Sequence, residues 1–166
     1  MPNRIKRWFF DQMAAWCMLF RRRDLALEYY ERMLELDPGD PLALASIAFQ
    51  TAQQGRKREA LAAFDRLLAV APDDAEAHFN RGFLLQEMND RDGAMAAFRR
   101  AIALNPENAD AHFNLGVILG PRNQLDDAIA HLQRAVEINP LNADAYHNLA
   151  VAYGLQRRID EGIAAA

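Results

Sequence analysis

An all-α fold of stacked antiparallel helix pairs is what this sequence predicts, and three observations predict it. Alanine is 31 of the 166 residues while glycine is only 8, a balance that suits helices and not a β-sandwich or barrel. Four prolines, Pro38, Pro72, Pro106 and Pro140, recur every 34 residues. Between them apolar side chains fall at helical spacing, as at Leu125, Ile129, Leu132 and Val136. A period of this size marks repeat architectures, in which each unit buries its apolar face against the next.

The first element is a helix from Arg4 to Arg23, apolar through Trp8, Phe9, Met13, Trp16 and Phe20 and basic at both ends. Residues 1–23 carry six cations (Arg4, Lys6, Arg7, Arg21, Arg22, Arg23) against Asp11, a local charge of +5, while the remainder carries 13 Lys/Arg against 22 Asp/Glu. Three readings are open for this helix. It can cap the stack, with Trp8, Met13 and Phe20 packed on Leu27 and Tyr30. It can lie on an anionic membrane surface, where basic and aromatic residues suit the interface. It can dock a partner or a second copy.

After it come the repeat units. In each, a first helix opens behind Asp40, Asp74, Asn108 or Asn142, whose side chains can cap free backbone N–H groups. It ends near Gly55, Asn89 and Asn123, residue types that tolerate the left-handed turn at a helix C-terminus. A second helix then carries Ala-x-x-x-Phe, as in Ala60–Phe64 and Ala94–Phe98, and stops before the next proline. The units read as 1–40 (basic helix and divergent first repeat), 41–74, 75–108, 109–142 and a partial fifth, 143–166. The last unit is expected to stop inside a second helix at Gly162–Ala166. Its apolar face would be left open to a longer chain, a partner or another copy.

On these residues the chain resembles the tetratricopeptide repeat family. Residues 109–142 match its pattern most closely, with Leu115-Gly116, Ala128, Leu132, Ala135 and Pro140, followed by Gly82, Ala94, Phe98, Ala101 and Pro106 in the preceding unit. The resemblance implies a right-handed superhelical solenoid whose concave face is lined by the first helices. It also implies a non-enzymatic scaffold for protein–protein interaction. Gly82 with Ala94, and Gly116 with Ala128, would sit where the two helices of a unit cross, so a larger side chain there would overpack.

Aligning the units sets residues in columns along that face. One column is Ser46, Asn80, Asn114 and Asn148; a second is Leu42, Glu76, Asp110 and Asp144. Between them lie Ala45, Phe79, Phe113 and His147, and one turn on, Phe49, Phe83, Val117 and Val151. Asparagine offers one acceptor and one donor group, so Asn80, Asn114 and Asn148 can hold the backbone of an extended peptide, or equally stabilise their own helices. Phe49, Phe79, Phe83, Phe113 and Val117 can receive its apolar side chains, although Phe79 and Phe113 also suit helix packing. Asp110 and Asp144 disfavour an acidic ligand and favour a neutral or basic one; they can also serve the helix dipole. The basic clamp that some family members turn toward chaperone tails is absent. The Asn and Asp ladders look more like those of O-linked N-acetylglucosamine transferases. The chain can therefore also be the targeting region of such an enzyme, or a self-assembling scaffold.

Other functions are excluded or unsupported. The net charge of −4 argues against nucleic acid as the main partner. No phosphate loop, nucleophile elbow or HExxH motif occurs, and no cofactor is implied. His78 and His112 share a place in successive units but lack a third ligand, so no metal site is expected. Cys17 lies in an apolar run and reads as a buried thiol. The longest apolar stretch, Trp8–Phe20, is too short to span a bilayer and precedes three arginines where a signal peptide would be cleaved, so a cytoplasmic address is expected.

Overall fold

The computed structural model describes residues 3–122 and 124–164, with side chains as far as Arg157. The described residues form nine α-helices and no strand. These are α1 (Asn3–Leu19), α2 (Arg23–Leu36), α3 (Pro41–Gln53), α4 (Lys57–Val70), α5 (Ala75–Glu87), α6 (Arg91–Leu104), α7 (Ala109–Leu119), α8 (Leu125–Ile138) and α9 (Ala143–Ala164). A short 3-10 turn, Gly120–Arg122, follows α7.

The predicted start signals act as caps. Asp40 Oδ1 accepts from the amides of Leu42 and Ala43 at 3.0 and 3.2 Å. Asp74 Oδ1 accepts from Ala77 at 2.9 Å, Asn108 from Ala111 at 2.9 Å and Asn142 from Ala145 at 3.0 Å. Each satisfies a donor that the first helical turn leaves free. The stop signals act too: α2, α4, α6 and α8 end at Leu36, Val70, Leu104 and Ile138, each two residues before a proline. The intervening residue is driven from helical geometry, as at Asp37 (φ −144°) and Asn105 (φ −134°).

One turn recurs inside the pairs. Gly55 and Asn89 adopt φ of +75° and +65°, and Arg21, in the same register one unit earlier, adopts +58°. Around each, the next amide bonds back five residues: Arg22 to Cys17 O, Arg56 to Thr51 O and Asp90 to Leu85 O, at 2.8–2.9 Å. This is the Schellman closure of a helix, which needs one left-handed residue. Asn123, the fourth member of the series, lies outside the described residues.

The chain divides into two compact units, Met1–Leu84 and Leu85–Ala166. In the first, α1 packs on α2, α2 on α3 and α3 on α4. Its apolar clusters are local: Ala14, Cys17, Ala26, Tyr30, Met33 and Ala43 form one, and Leu44, Ala48, Ala60, Phe64, Leu67 and Ala77 belong to another. In the second unit, α6 packs on α7, α7 on α8 and α8 on α9. There Gly116 meets α8 as expected, since a Cβ on it would stand 2.7 Å from Leu132 Cγ and 3.1 Å from Ala128 O.

Two expectations are corrected. Trp8 and Phe20 do not pack on α2; they are 62% and 58% exposed, and Phe10, Ala14, Cys17 and Met18 form the inner face of α1 instead. Both sides of this helix are apolar, so periodicity alone does not choose the side that small residues such as Ala14 let approach closely. The partial fifth unit does not turn into a second helix: α9 is continuous for 22 residues, from Ala143 to Ala164. The register position of Gly55 and Asn89 is held there by Arg157, and the residues around it favour helix propagation over a left-handed turn. The side chains of Gly162 to Ala166, expected to form an open apolar face, lie outside the described residues.

Candidate functional site

The first helices α3 and α5 present one face of the first unit. Phe49 and Phe83 each leave about half their surface in solvent, while Phe79 is half-buried. Ser46 and Asn80 are half-buried, and Glu76 is exposed in the first turn of α5. A cavity of about 260 Å³ opens here, lined by Ala45, Ser46, Phe49 and Gln50 of α3, Phe64 and Leu67 of α4, and Asp74, Glu76, Ala77 and Asn80.

Helices α7 and α9 repeat the arrangement in the second unit. Val151 is about half exposed and Val117 half-buried. Asn114 Nδ2 donates to Asp110 O and Asn148 Nδ2 donates to Asp144 O, each at 2.8 Å. Each amide thus uses its donor on its own helix and keeps its Oδ1 for another partner. Phe113 packs against the cluster of Ile129, Leu132 and Ala152. Asp110 and Asp144 are exposed first-turn acids, favourably placed on the helix dipole. A cavity of about 250 Å³ is bounded by Val117, Asn148, Val151 and Leu155, with Gly116, Ala128 and Leu132 among the residues of its floor.

His78, His112 and His131 serve the fold. Nε2 of His78 lies 3.0 Å from Pro72 O, and Nε2 of His112 lies 3.2 Å from Pro106 O, one register apart. With Nε2 of His112 donating to that carbonyl, its Nδ1 is left as the acceptor that meets His131 Nδ1 at 2.9 Å. Burial lowers the pKa of both rings, and for His131 the neighbouring His112 adds to the effect. Among the described residues no group of three or more His, Cys, Asp and Glu side chains is placed to hold a metal. Cys17 is a buried free thiol, as expected.

At the N-terminus, Asp40 is fully buried and accepts a hydrogen bond from Arg7 Nε, which ties α1 to the start of α3. Burial opposes its ionisation, but the Arg7 guanidinium and the Ala43 and Leu42 amides outweigh this and hold the carboxyl below its ordinary range. The outer side of α1 exposes Ile5, Trp8, Phe9, Trp16 and Leu19, with Phe20 just beyond it. No helix among the described residues is long and apolar enough to cross a membrane.

Two participants were not evident from the columns. His131, the partner of His112, has no counterpart in the repeat pattern. Gln50 could have been found: at successive 34-residue steps its register holds Leu84, Ile118 and Ala152, so it alone is polar.

Residues 49–115 match a tetratricopeptide repeat family model, and residues 122–156 match a second TPR repeat model, together more than half of the chain. The chain belongs to the tetratricopeptide repeat family. Its all-α solenoid fold of helix pairs is shared by solved structures. A crystal structure of MamA matches with a TM-score of 0.84 at 23% identity, covering 96% of this chain and 87% of that one. YrrB, described as a TPR protein with an unusual peptide-binding site, matches with a TM-score of 0.80 at 24% identity, over 89% of this chain and 76% of that one. A mutant O-GlcNAc transferase from Thermobaculum terrenum is 35% identical with a TM-score of 0.60, over 68% of this TPR chain but 22% of the transferase. No curated protein matches the chain.

Proposed function

We propose that this TPR protein is an interaction scaffold that holds an extended, neutral or basic peptide segment on the faces of its first helices. The observation that carries the reading is the repeated exposure of Phe49, Phe83 and Val151 in one register, beside half-buried Asn80, Asn114 and Asn148. In each unit, apolar side chains left in solvent at this repeat position offer the apolar side chains of a ligand their largest gain on binding. The free Oδ1 atoms of Asn114 and Asn148 supply acceptors for its backbone N–H groups, and Asp110 and Asp144 select against acidic segments. Phe79 and Phe113 contribute as walls rather than as exposed anchors. YrrB's peptide-binding site supports the same class of ligand.

The test is a pull-down with the wild type and with Asn80→Ala/Asn114→Ala, compared by mass spectrometry. Ligands should be lost from the variant while helicity and melting temperature stay nearly unchanged, because these side chains are not core. Equal retention would assign the asparagines to helix stability alone. The likeness to the O-GlcNAc transferase supports an alternative, in which the same face presents substrates to a catalytic domain elsewhere.

A second reading concerns α1. Its exposed Trp8, Trp16 and Phe20, flanked by arginines at both ends, support attachment to an anionic surface. Both tryptophans of the chain lie on this helix, so their emission should shift to the blue with phosphatidylserine vesicles and not with phosphatidylcholine vesicles. Arg21→Ser/Arg22→Ser/Arg23→Ser should abolish the shift; no shift in the wild type would remove the reading.

A further inference from the structure

We propose that the cavity between α3 and α5 is a specificity pocket for one basic side chain of the bound peptide, with Gln50 as its acceptor. The inference rests on the peptide-binding reading above and narrows it. Gln50 is only 5% exposed, and its Oε1 has no hydrogen-bond partner. Nothing in the repeat demands an amide there, because Leu84, Ile118 and Ala152 fill the same register and are all buried. A buried carbonyl oxygen without a donor is unfavourable, whereas an apolar side chain of similar size is not. Gln50 is therefore a local departure that weakens the free protein and is relieved by a ligand that brings a donor.

The surroundings define that ligand. The cavity of about 260 Å³ has apolar walls from Phe49, Phe64 and Leu67, and carboxylates from Asp74 and Glu76. Asp74 spends Oδ1 on the cap of α5; Glu76 is exposed. A suitable group needs an apolar stem, an N–H donor and positive charge. Lysine and arginine have all three: the stem lies on Phe49, Phe64 and Leu67 while the head donates to Oε1 and faces the carboxylates. A glutamate brings no donor and meets like charge, and norleucine brings only the stem.

The full chain is probed on an array of extended Ala/Ser-rich peptides, one position of which is varied through Lys, Arg, norleucine, Gln and Glu. The same array is probed with Gln50→Leu, which copies the side chain at Leu84. The wild type should favour Lys or Arg over norleucine by about tenfold or more, the range expected of a charge-assisted hydrogen bond. Gln50→Leu should lose that preference, keep its binding to the norleucine peptide and melt at a higher temperature. Wild-type binding with no preference for a basic residue would overturn the pocket and leave the peptide reading standing. Absence of any bound peptide would overturn both. A lower melting temperature for Gln50→Leu would show that the amide is already satisfied in the free protein, which also refutes the inference.

Discussion

Replacing Gly116 by alanine sets two effects of opposite sign against each other. Alanine in a helix interior is favoured over glycine by about 0.8–1.0 kcal/mol. At Gly116, however, the new Cβ would stand 2.7 Å from Leu132 Cγ and 3.1 Å from the backbone oxygen of Ala128. The atom met first is the branch carbon of buried Leu132, not the far end of a flexible side chain, and a backbone oxygen shifts only if α8 moves with it. Overpacking of this kind costs about 1–3 kcal/mol, so the net expectation is a destabilisation of up to about 2 kcal/mol. Gly154 is the control. It lies within α9, and a Cβ there meets nothing within 4 Å, so Gly154→Ala should instead gain up to about 1 kcal/mol. For a chain of this size each kcal/mol moves the melting temperature by about 2–4 °C. Circular dichroism melts and urea midpoints of the two variants, side by side, give the comparison. Gly116→Leu should be worse than Gly116→Ala. If Gly116→Ala is as stabilising as Gly154→Ala, the close approach of α7 to α8 is not what holds a glycine at this position.

Three further outcomes follow from particular contacts. Asp40 has a folded pKa below its unfolded one, so its stabilisation is complete above the ordinary carboxylate range and is lost as pH falls through the lowered value; Arg7→Gln should remove about 1–3 kcal/mol and move the acid transition, read by the α1 tryptophans, to higher pH. His112 and His131 are depressed in the folded state, so the unfolded chain takes up protons first; urea midpoints should be highest above about pH 6.5, the ordinary histidine value, and decline as pH falls, and His131→Leu should flatten that decline. Arg21 bears a left-handed backbone that costs a side-chain-bearing residue about 1–2 kcal/mol relative to glycine, so Arg21→Gly should raise stability by up to that amount, while Gly55→Ala, which meets no atom within 4 Å, should lower it through φ alone; equal melting temperatures for both variants and the wild type would refute the role of this turn.

The parts of the fold legible in the sequence are those set by local chemistry. A capping oxygen at Asp40 or Asn142 and a proline two residues past Ile138 act within one helical turn, so their effect can be read without knowing what lies nearby. The left-handed Arg21 was not legible from residue type; only its register with Gly55 and Asn89 points to it, and the packing of α1 on α2 holds it there. The candidate face was legible as columns but not as orientations. Phe49 and Phe113 are both aromatic residues on first helices, yet Phe113 joins the cluster with Ile129 and Leu132 while Phe49 stays half in solvent. Which way each turns depends on the side chains of the helices packed next to it, which no pattern within the helix itself records. The continuity of α9 is a similar case: Arg21 and Arg157 are the same residue type in the same register, yet only Arg21 adopts the left-handed turn, so residue type alone does not mark the stop.

The apolar clusters within each unit join helices that are neighbours along the chain, α1 to α2, α2 to α3 and α3 to α4, and likewise α6 through α9. This has a consequence for how the protein is made. Contacts between sequence neighbours require little loop closure, and chains dominated by them fold on the microsecond to millisecond scale. Within each unit a helix pair can form as soon as it has left the ribosome, so folding of that unit can keep pace with translation.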